Sequence, residues 1–206
     1  MADAAERLEP PFTPLKAAVF TVVDLETTGG APPEHKITEI AAYRIEGLQV
    51  TEEFTTLVNP ERSIPAFITS LTGINTAMVI GQPPSRDVLP GLLKFLGDSV
   101  VVAHHSQFDR RFLDNELALA KLKPLDNTDL CTSRLARRIL PWLPSKSLGN
   151  LSAFFGIVIP HRHRAAADAL ATCELLLIFL EYLESRSLTS LEQVLMFQYG
   201  DMEYER

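Results

Sequence analysis

The stretch that decides the fold is F-T-V-V-D-L-E-T-T-G-G, residues 20–30. Its valine-rich start has the length and apolar character of a central strand that is covered on both faces. Because side chains on a strand alternate between faces, Asp24 and Glu26 are expected to share one face. Thr27 and Thr28 open the turn at the C-terminal end of the strand, where open α/β sheets bind their ligands. The stretch therefore predicts two carboxylates in a site, although a lone pair of this kind more often caps a loop.

The remaining pattern predicts a mixed α/β domain. Two more strands are expected at 37–45 and 50–58, joined by the short turn E-G-L-Q, which indicates a hairpin. Helices are then expected at 65–71, 86–96, 108–122, 129–140, 147–155, 163–183 and 188–199, with short strands at 99–103 and 125–128. A hairpin run followed by alternating helices and strands is typical of a layered α/β domain. The first strand and the strand at 99–103 are the expected parallel neighbours.

Composition and charge restrict the class of protein. The chain has 206 residues, of which 46% are hydrophobic and 22% charged, as expected for one folded domain. Its apolar runs are too short for a membrane span and its acidic N-terminus lacks a signal-peptide core, which together predict a cytoplasmic location. Cys131 and Cys173 are too few for a disulfide framework. The net charge of −7 argues against a broad basic surface, so a nucleic-acid function needs a local basic patch, a short footprint or metal ions.

Two more acidic residues lie near the starts of predicted helices. Asp109 follows the strand at 99–103, and its ordinary role would be to stabilise the first helical turn by about 0.3–1 kcal/mol. Asp168 precedes eleven mostly apolar or small residues, and a carboxylate on the buried side of such a helix is costly unless it is paired or bound to a metal. His163 is five residues earlier, which is not a same-face helical spacing. We therefore expect His163 in the loop that enters the helix, where a plain surface histidine is the alternative.

The four acidic residues and the histidine form a chemically coherent set. Oxygen ligands favour hard cations such as Mg²⁺ or Mn²⁺. Two such ions about 4 Å apart stabilise the attacking and leaving oxygens of a phosphodiester displacement. A histidine can take the proton of the attacking water. Metal ions also explain how an acidic site would bind a phosphate.

Three ordered motifs resemble those of the DnaQ-like, or DEDDh, 3′–5′ exonuclease family, which includes the proofreading subunit of bacterial DNA polymerase III. The motifs are D-L-E-T-T-G at 24–29, H-H-S-Q-F-D-R-R-F-L at 104–113 and H-R-A-A-A-D-A at 163–169. Similar segments extend the resemblance from about residue 17 to about residue 183. The family usually has asparagine where this chain has His105. We expect this difference to tune a neighbouring contact without loss of activity.

The resemblance implies a ribonuclease H-like fold, an α/β fold with a five-stranded mixed sheet flanked by helices. It implies two divalent cations, Mg²⁺ or Mn²⁺, held by Asp24, Glu26, Asp109 and Asp168. Asp24 would bridge both ions, and Asp109 would act on the second one. Glu26 and Asp168 would complete the more tightly held ion, and His163 would be the general base.

Substrate contacts are expected beside the carboxylates, where the motifs and the segment L-T-G-I at 71–74 resemble family positions near the terminal base. The predicted substrate-binding residues are Thr27, Thr28, Leu71, Ile74, His104, Phe108, Arg162 and Arg164. Core packing is the alternative role for Phe108, and a helix stop is the alternative role for L-T-G-I. A second group of basic residues, Arg134, Arg137 and Arg138, is typical of a solvated helix face.

The resulting prediction is a metal-dependent 3′–5′ exonuclease that hydrolyses phosphodiester bonds at 3′ ends of single-stranded or frayed DNA. The alternatives are an RNA exonuclease of the RNase T or oligoribonuclease type, and a non-catalytic protein that uses the same fold to bind a partner. A polymerase or another nuclease chain is the expected protein partner, and no membrane is expected. Along the chain we expect a flexible leader at 1–14, the exonuclease domain at 15–185 and a helical extension at 186–206. This extension would either pack on its own domain or dock a partner.

Overall fold

The computed structural model describes residues 12–201, and expectations for residues 1–11 and 202–206 lie outside that range. The strands within it are β1 (Phe20–Thr27), β2 (Ile37–Glu46), β3 (Gln49–Leu57), β4 (Val100–Ala103) and β5 (Asp129–Cys131). The helices are α1 (Ala66–Thr72), α2 (Thr76–Val79), α3 (Ser85–Leu96), α4 (Ser106–Leu119), α5 (Thr132–Ile139), α6 (Leu148–Phe155), α7 (Ala165–Ser185) and α8 (Leu191–Tyr199). The strands form one mixed sheet in the order β3-β2-β1-β4-β5, with β1 to β3 antiparallel and β4 and β5 parallel to β1. This architecture confirms the predicted ribonuclease H-like α/β fold.

Side-chain alternation along β1 divides the core into two layers. Phe20 and Val22 contact the layer that contains α5 to α8, whereas Val23 and Leu25 contact the layer that contains α3 and α4. Asp24 and Glu26 are on the same face of β1 as Phe20 and Val22, because every second residue of a strand points to the same side. The carboxylates are therefore presented on the side of the sheet that α7 covers.

The fifth strand lies later in the chain than predicted. The sequence prediction placed it at 125–128 and a helix at 129–140, but β5 is Asp129–Cys131 and α5 begins at Thr132. The preceding segment approaches β4 through the side chain of Asn127, which donates to two backbone carbonyls at 2.8 and 2.9 Å. Such side-chain bonds leave no periodic signal in the sequence. The four-residue helix α2 is also too short to show the helical period and was not predicted.

The C-terminal helix α8 is part of the main core. Val194 and Phe197 are buried in the layer that contains α7, and the Gln198 side chain covers the outer edge of β5. Its Oε1 accepts the backbone N–H of Cys131 (3.0 Å), and its Nε2 donates to the carbonyl of Asp129 (2.9 Å). The amide thus replaces a neighbouring strand and protects an edge that would otherwise be open to pairing.

The last residues of the predicted leader are bonded to the C-terminal extension. Thr13 donates its N–H to Oε2 of Glu192 (2.9 Å), and its carbonyl accepts the N–H of Leu191 (2.8 Å). Pro14 forms an isolated β-bridge with Ser190. The expected flexibility of residues 1–11 falls on residues that the structure does not describe. Between residues 12 and 201, no helix is both long enough and apolar enough to cross a bilayer.

Candidate active site

Strand β1 extends beyond its parallel neighbour β4. The two strands pair from Phe20–Val100 to Val22–Val102, so the end of β1 that carries Asp24 and Glu26 has no parallel partner beside it. A cleft of about 630 Å³ opens at this edge of the sheet. It lies at the C-terminal end of a central strand, where the sequence predicts a ligand site.

Asp109 enters the cleft from the first turn of α4 and is 8% exposed. Burial raises the pKa of its carboxyl to about 7, while hydrogen bonds from the backbone N–H groups of Asp109 itself and of Leu25 act in the opposite direction. The Leu25 N–H is available because the ladder between β1 and β4 ends at Val22. The overhang of β1 therefore helps to hold Asp109 beside the carboxylates of the strand.

Asp168 lies in the first turn of α7 and is held by the loop before the helix. The backbone N–H of His163 donates to its Oδ2 (3.1 Å). His163 has a φ of +62°, a left-handed conformation that costs a non-glycine residue about 1–2 kcal/mol, and this bond helps to stabilise it. The other oxygen of Asp168, Oδ1, is buried and has no hydrogen-bond partner among residues 12–201. Burial of a carboxylate oxygen without a hydrogen-bond partner costs free energy. Oδ1 is therefore suited to bind a cation.

The side chains around Asp168 fit a divalent cation. Ligand atoms of Glu26, His163 and Asp168 all lie within 4.8 Å of one another. Hard cations such as Mg²⁺ prefer carboxylate oxygens, and an ion here would satisfy the unpartnered Oδ1. The residues present are therefore compatible with the metal ions that the sequence predicts.

The carboxylates of the cleft repel one another. Burial raises the pKa of Asp24 well above its ordinary value, and four neighbouring charges raise it further: Asp109, Glu26, Asp168 and Glu39. Burial also raises the pKa of Glu26 to about 8, with repulsion from Asp168 as the next cause. A cation among these groups would reverse the repulsion, because a nearby opposite charge favours the ionised carboxylate.

Glu39 on β2 holds the start of α7 in place. It lies opposite Glu26 in the antiparallel ladder and is 6% exposed. Its carboxylate accepts the N–H of Ala165 (2.9 Å) and pairs with Arg164 at the N-cap position. The Arg164 side chain makes no capping bond of its own, so a neighbouring strand supplies the cap. Sequence analysis missed Glu39, although a charged residue inside the otherwise apolar I-T-E-I-A-A was a usable signal.

Most of the predicted site residues line the cleft. From the predicted catalytic set these are Asp24, Glu26, Asp109, His163 and Asp168. From the predicted substrate-binding set they are Thr27, Leu71, His104, Phe108 and Arg162. The ring of Phe108 also packs against Phe112, with 5.0 Å between centroids. It therefore combines the core role and the cleft role that the sequence left open.

Three predicted substrate contacts lie elsewhere. Ile74 is completely buried in a small core cluster beside α1 and α2, which leaves it no surface for a nucleotide. Thr28 is also fully buried, and its Oγ1 accepts the N–H of Lys36 (3.0 Å). The guanidinium of Arg164 is engaged by Glu39 and does not line the cleft. Burial and pairing therefore remove these side chains from the predicted substrate contacts.

His104 lines the cleft, but both of its ring nitrogens are occupied. Nδ1 bonds to Oγ1 of Thr132 (2.9 Å), and Nε2 bonds to the carbonyl of Lys146 (2.8 Å). Because a carbonyl only accepts, we assign the ring proton to Nε2. Burial lowers the pKa of His104 to about 4, so the ring is neutral. His104 thus joins the end of β4 to α5 and to the loop before α6, which leaves only ring carbons for a substrate.

Phe67 and His35 also line the cleft and were not predicted. Phe67 is 66% exposed and lies one turn before Leu71 on α1, so the two side chains form an exposed apolar strip. That i, i+4 spacing was the signal that sequence analysis missed. The His35 ring lies against Gly29, where a Cβ would come within 2.2 Å of it. A larger residue at position 29 would therefore have to displace the His35 ring.

Comparison with known proteins identifies the family. A family model described as Exonuclease, of the RNase T type, matches residues 21–176. This chain belongs to that exonuclease family. The match runs from β1 into α7 and includes all five predicted catalytic residues. The recognition made from the three motifs is confirmed.

The exonuclease is similar to a DNA polymerase III subunit and to segments of longer bacterial proteins. DNA polymerase III subunit epsilon of Aquifex aeolicus is 40% identical over 185 residues, which are 90% of this chain and 86% of the relative. A putative bifunctional exonuclease/endonuclease protein of Mycobacterium tuberculosis is 43% identical, over 87% of this chain and 30% of its own length. A PolC-type DNA polymerase III of Caldanaerobacter subterraneus is 37% identical, over 85% of this chain and 12% of its own length. The chain thus spans most of the first relative and a minor part of the other two.

Solved exonuclease structures share the fold. Exonuclease X in complex with 5′ overhanging duplex DNA has a TM-score of 0.70 and 28% identity, over 87% of this chain and 99% of that one. Escherichia coli Exonuclease I in complex with a dT13 oligonucleotide has a TM-score of 0.72 and 19% identity, over 82% of this chain and 43% of that one, which shows the fold alone. Family and relatives together make the protein a 3′–5′ exonuclease, of a family that uses divalent metal ions.

Proposed function

We propose that this exonuclease removes nucleotides from 3′ ends of single-stranded or frayed DNA, with two divalent cations, Mg²⁺ or Mn²⁺, as cofactors. The observation that carries the proposal is the convergence of Asp24, Glu26, Asp109 and Asp168 on one cleft, together with the unpartnered Oδ1 of Asp168. So much negative charge suits a phosphate-binding site only when cations neutralise it.

The four carboxylates would hold the cations from three rigid elements, β1, α4 and α7. Asp24 would contribute to the binding of both ions, and Asp109 would contribute from α4. Glu26 and Asp168 complete the site beside His163. Divalent ions bound there would stabilise charge on the attacking and leaving oxygens of the phosphodiester. Ligands on rigid elements need little rearrangement during the reaction, which favours catalysis.

His163 is the proposed general base. One of its ring nitrogens lies within 4.8 Å of carboxylate oxygens of Glu26 and Asp168. The bond from its backbone N–H to Asp168 positions the residue. Its imidazole makes no hydrogen bond to any residue that the structure describes. An imidazole with a free nitrogen at the cleft can take the proton of an attacking water and release it to solvent.

The apolar surface of the cleft suits the bases of the terminal nucleotides. Phe67 and Leu71 of α1 and Phe108 of α4 line it, and aromatic faces stack with any base regardless of sequence. Arg162 supplies a positive charge for phosphate; its guanidinium lies against Gly149, where a Cβ would come within 2.6 Å of Nη1. DNA is favoured as the substrate by the similarity to a DNA polymerase III subunit and to an exonuclease solved with DNA.

Cleavage of labelled oligonucleotides by the purified chain tests this proposal. A 5′-labelled DNA strand with Mn²⁺ is expected to shorten stepwise from its 3′ end, and EDTA is expected to abolish the reaction. Asp24→Asn should lower the rate by about 10³-fold or more, because bound metal contributes several kcal/mol to catalysis. The matched control is Asp98→Asn, at an exposed acid outside the cleft, which should leave the rate unchanged.

An RNA strand of the same sequence, in a parallel reaction, tests the choice of sugar. Equal or faster cleavage of the RNA would contradict a DNA substrate. DNA and RNA that both stay whole with Mg²⁺ and with Mn²⁺ would contradict the catalytic proposal itself.

We further propose that the exonuclease works beside a DNA polymerase chain. The support is its 40% identity to DNA polymerase III subunit epsilon over 90% of the chain. Size-exclusion chromatography of the exonuclease with the replicative polymerase of its own organism is expected to show a shared peak. Separate elution of the two proteins at micromolar concentration would contradict this partner.

A further inference from the structure

A second, smaller cavity lies beside the active-site cleft. Its volume is about 260 Å³. His105 and Phe108 line both cavities, so the two are immediate neighbours. A space of this volume is large enough for a small polar group such as a phosphate.

Three arginines line this second cavity, which we call the arginine pocket: Arg111 of α4 and Arg134 and Arg137 of α5. Arg111 and Arg137 are exposed and form no ion pair with any residue in the described part of the chain. Arg134 is held by the Tyr199 hydroxyl (3.0 Å) and lies over its ring (4.9 Å to the centroid), neither of which neutralises its charge. In a chain with a net charge of −7, such a concentration of unpaired positive charge indicates an anionic ligand.

The start of α5 adds a second, independent feature of an anion site. Cys131 occupies the N-cap position and makes no side-chain capping bond, so the first backbone N–H groups of α5 lack that partner. Ser133, in the first turn, lines the pocket and is 1% exposed. Its hydroxyl oxygen is buried and has no hydrogen-bond partner among residues 12–201. A hydroxyl that lacks a hydrogen-bond partner beside a helix N-terminus is suited to donate to a phosphate oxygen.

We propose that the arginine pocket binds an internucleotide phosphate of the nucleic-acid strand whose 3′ end lies in the cleft. The proposal rests on the function proposed above. A strand that leaves the cleft past Phe108 and His105 would meet the pocket next, because these two residues line both cavities. Contacts to phosphate position a strand without reading its sequence. The pocket therefore supplies the local basic patch that an acidic nuclease needs to hold more than its terminal nucleotide.

A solvated helix face, the sequence-based interpretation of Arg134 and Arg137, accounts for only part of these observations. It explains exposed arginines, but it does not explain a buried serine hydroxyl with no partner in the described structure. An acidic protein partner would also be attracted to the arginines. Such a partner would contact the exposed arginines, whereas the unpartnered hydroxyl of Ser133 in the lining of the pocket favours a small anion.

The test compares a long and a short substrate in the same protein. A DNA decamer can span both cavities, and a dinucleotide cannot. For Arg137→Gln and for Arg111→Gln, the ratio of kcat/KM for the decamer to that for the dinucleotide is expected to fall about fivefold. For the decamer, the slope of log KM against the logarithm of the salt concentration should also decrease by about 0.7 for each phosphate contact that is lost. The matched control is Arg86→Gln, whose arginine is exposed and pairs with Glu61 far along the chain from the pocket residues; it should leave the ratio unchanged.

Ser133→Ala provides a second measurement that does not alter charge. Removal of a hydroxyl without a partner should not destabilise the fold, so an unchanged melting temperature and a ratio lowered about twofold to threefold are expected. An unchanged ratio in all three pocket variants would overturn the proposal. If these variants lose inhibition by inorganic phosphate or by dTMP but keep the parent ratio, the pocket binds free anions only, which also overturns it.

The outcome separates this inference from the proposed function. If the parent protein cleaves both substrates and the arginine variants keep its ratio of kcat/KM for decamer and dinucleotide, the proposed phosphate site is overturned. The exonuclease proposal then stays intact. Parent protein that cleaves neither substrate would overturn the proposed function, and the role of the pocket with it.

Discussion

Glu39 and Arg164 are joined by two parallel hydrogen bonds between β2 and the start of α7. Nη2 of Arg164 lies 2.6 Å from Oε1 of Glu39, and Nε lies 3.1 Å from Oε2. The same Oε2 accepts the N–H of Ala165. Because α7 carries Asp168 and its entrance carries His163, this single carboxylate fixes two residues of the site relative to the sheet.

Glu39→Gln is expected to weaken metal affinity and to lower kcat/KM, each by about 10–100-fold, as changes behind metal ligands commonly do. Glutamine replaces one of the two acceptor oxygens with an NH₂ group that only donates, so it cannot accept all three hydrogen bonds from Arg164 and Ala165, and it removes the charge that pairs with Arg164. Calorimetric metal titration and cleavage kinetics measure the two effects. The matched control is Glu61→Gln, which breaks the exposed pair with Arg86 and should have little effect. Equal losses in both variants would refute a positioning role for Glu39.

His163→Ala is expected to lower kcat by about 10²–10⁴-fold, because it removes the proposed base, while metal affinity stays near that of the parent. Single-turnover cleavage and metal titration measure the two quantities separately. His161→Ala is the control, since His161 lies in the same loop and also has a positive φ (+56°); its rate should match the parent. A parallel loss of metal affinity in His163→Ala would show that His163 is a ligand.

Metal-free protein is expected to lose stability as the pH rises from about 5 to about 8. Burial raises the pKa of Asp109 from 3.8 to about 7 and that of Glu26 from 4.5 to about 8. Between the unfolded and folded values the native state holds protons that the unfolded state has released, so higher pH favours unfolding. Asp109→Asn should therefore melt about 2–4 °C above the parent at pH 8, which corresponds to about 1 kcal/mol.

Thermal unfolding in EDTA across this pH range provides the measurement. Asp98→Asn, at an exposed acid outside the cleft, should follow the parent curve. Mg²⁺ or Mn²⁺ should raise the melting temperature most at pH 8, where the carboxylates are ionised. A parent melting temperature that increases between pH 5 and pH 8 in EDTA would contradict the raised pKa values.

Gln198→Leu is expected to lower the free energy of unfolding by about 2–3 kcal/mol. The substitution leaves the backbone N–H of Cys131 and the carbonyl of Asp129 without their partner at the edge of β5. Urea unfolding measures the change. Gln82→Leu, whose amide makes only a long 3.5 Å bond at the surface, should stay within about 0.5 kcal/mol of the parent. Similar midpoints for the two variants would show that the edge bonds contribute nothing.

The sequence alone was enough to predict which acidic residues line the cleft and the order of most elements. Alternation along residues 20–30 was enough to place Asp24 and Glu26 on one face, because the period of two is a property of the strand backbone itself. The spacing of five between His163 and Asp168 correctly placed the histidine in the entry loop, although the predicted helix began there and α7 begins at Ala165. Signals of this kind are local and can be read without knowledge of the fold.

Tertiary structure alone decided which distant residues support the cleft and which motif residues face away from it. Glu39 and Arg164 are 125 positions apart, and no local pattern links them. Thr28 and Ile74 match family positions, yet the packing of the layers buries both. The physical reason is that sequence periodicity shows on which face of its own helix or strand a side chain lies, but not which other element packs against that face. Burial, pairing and the gathering of Ser133 with three arginines depend on how separate elements pack together.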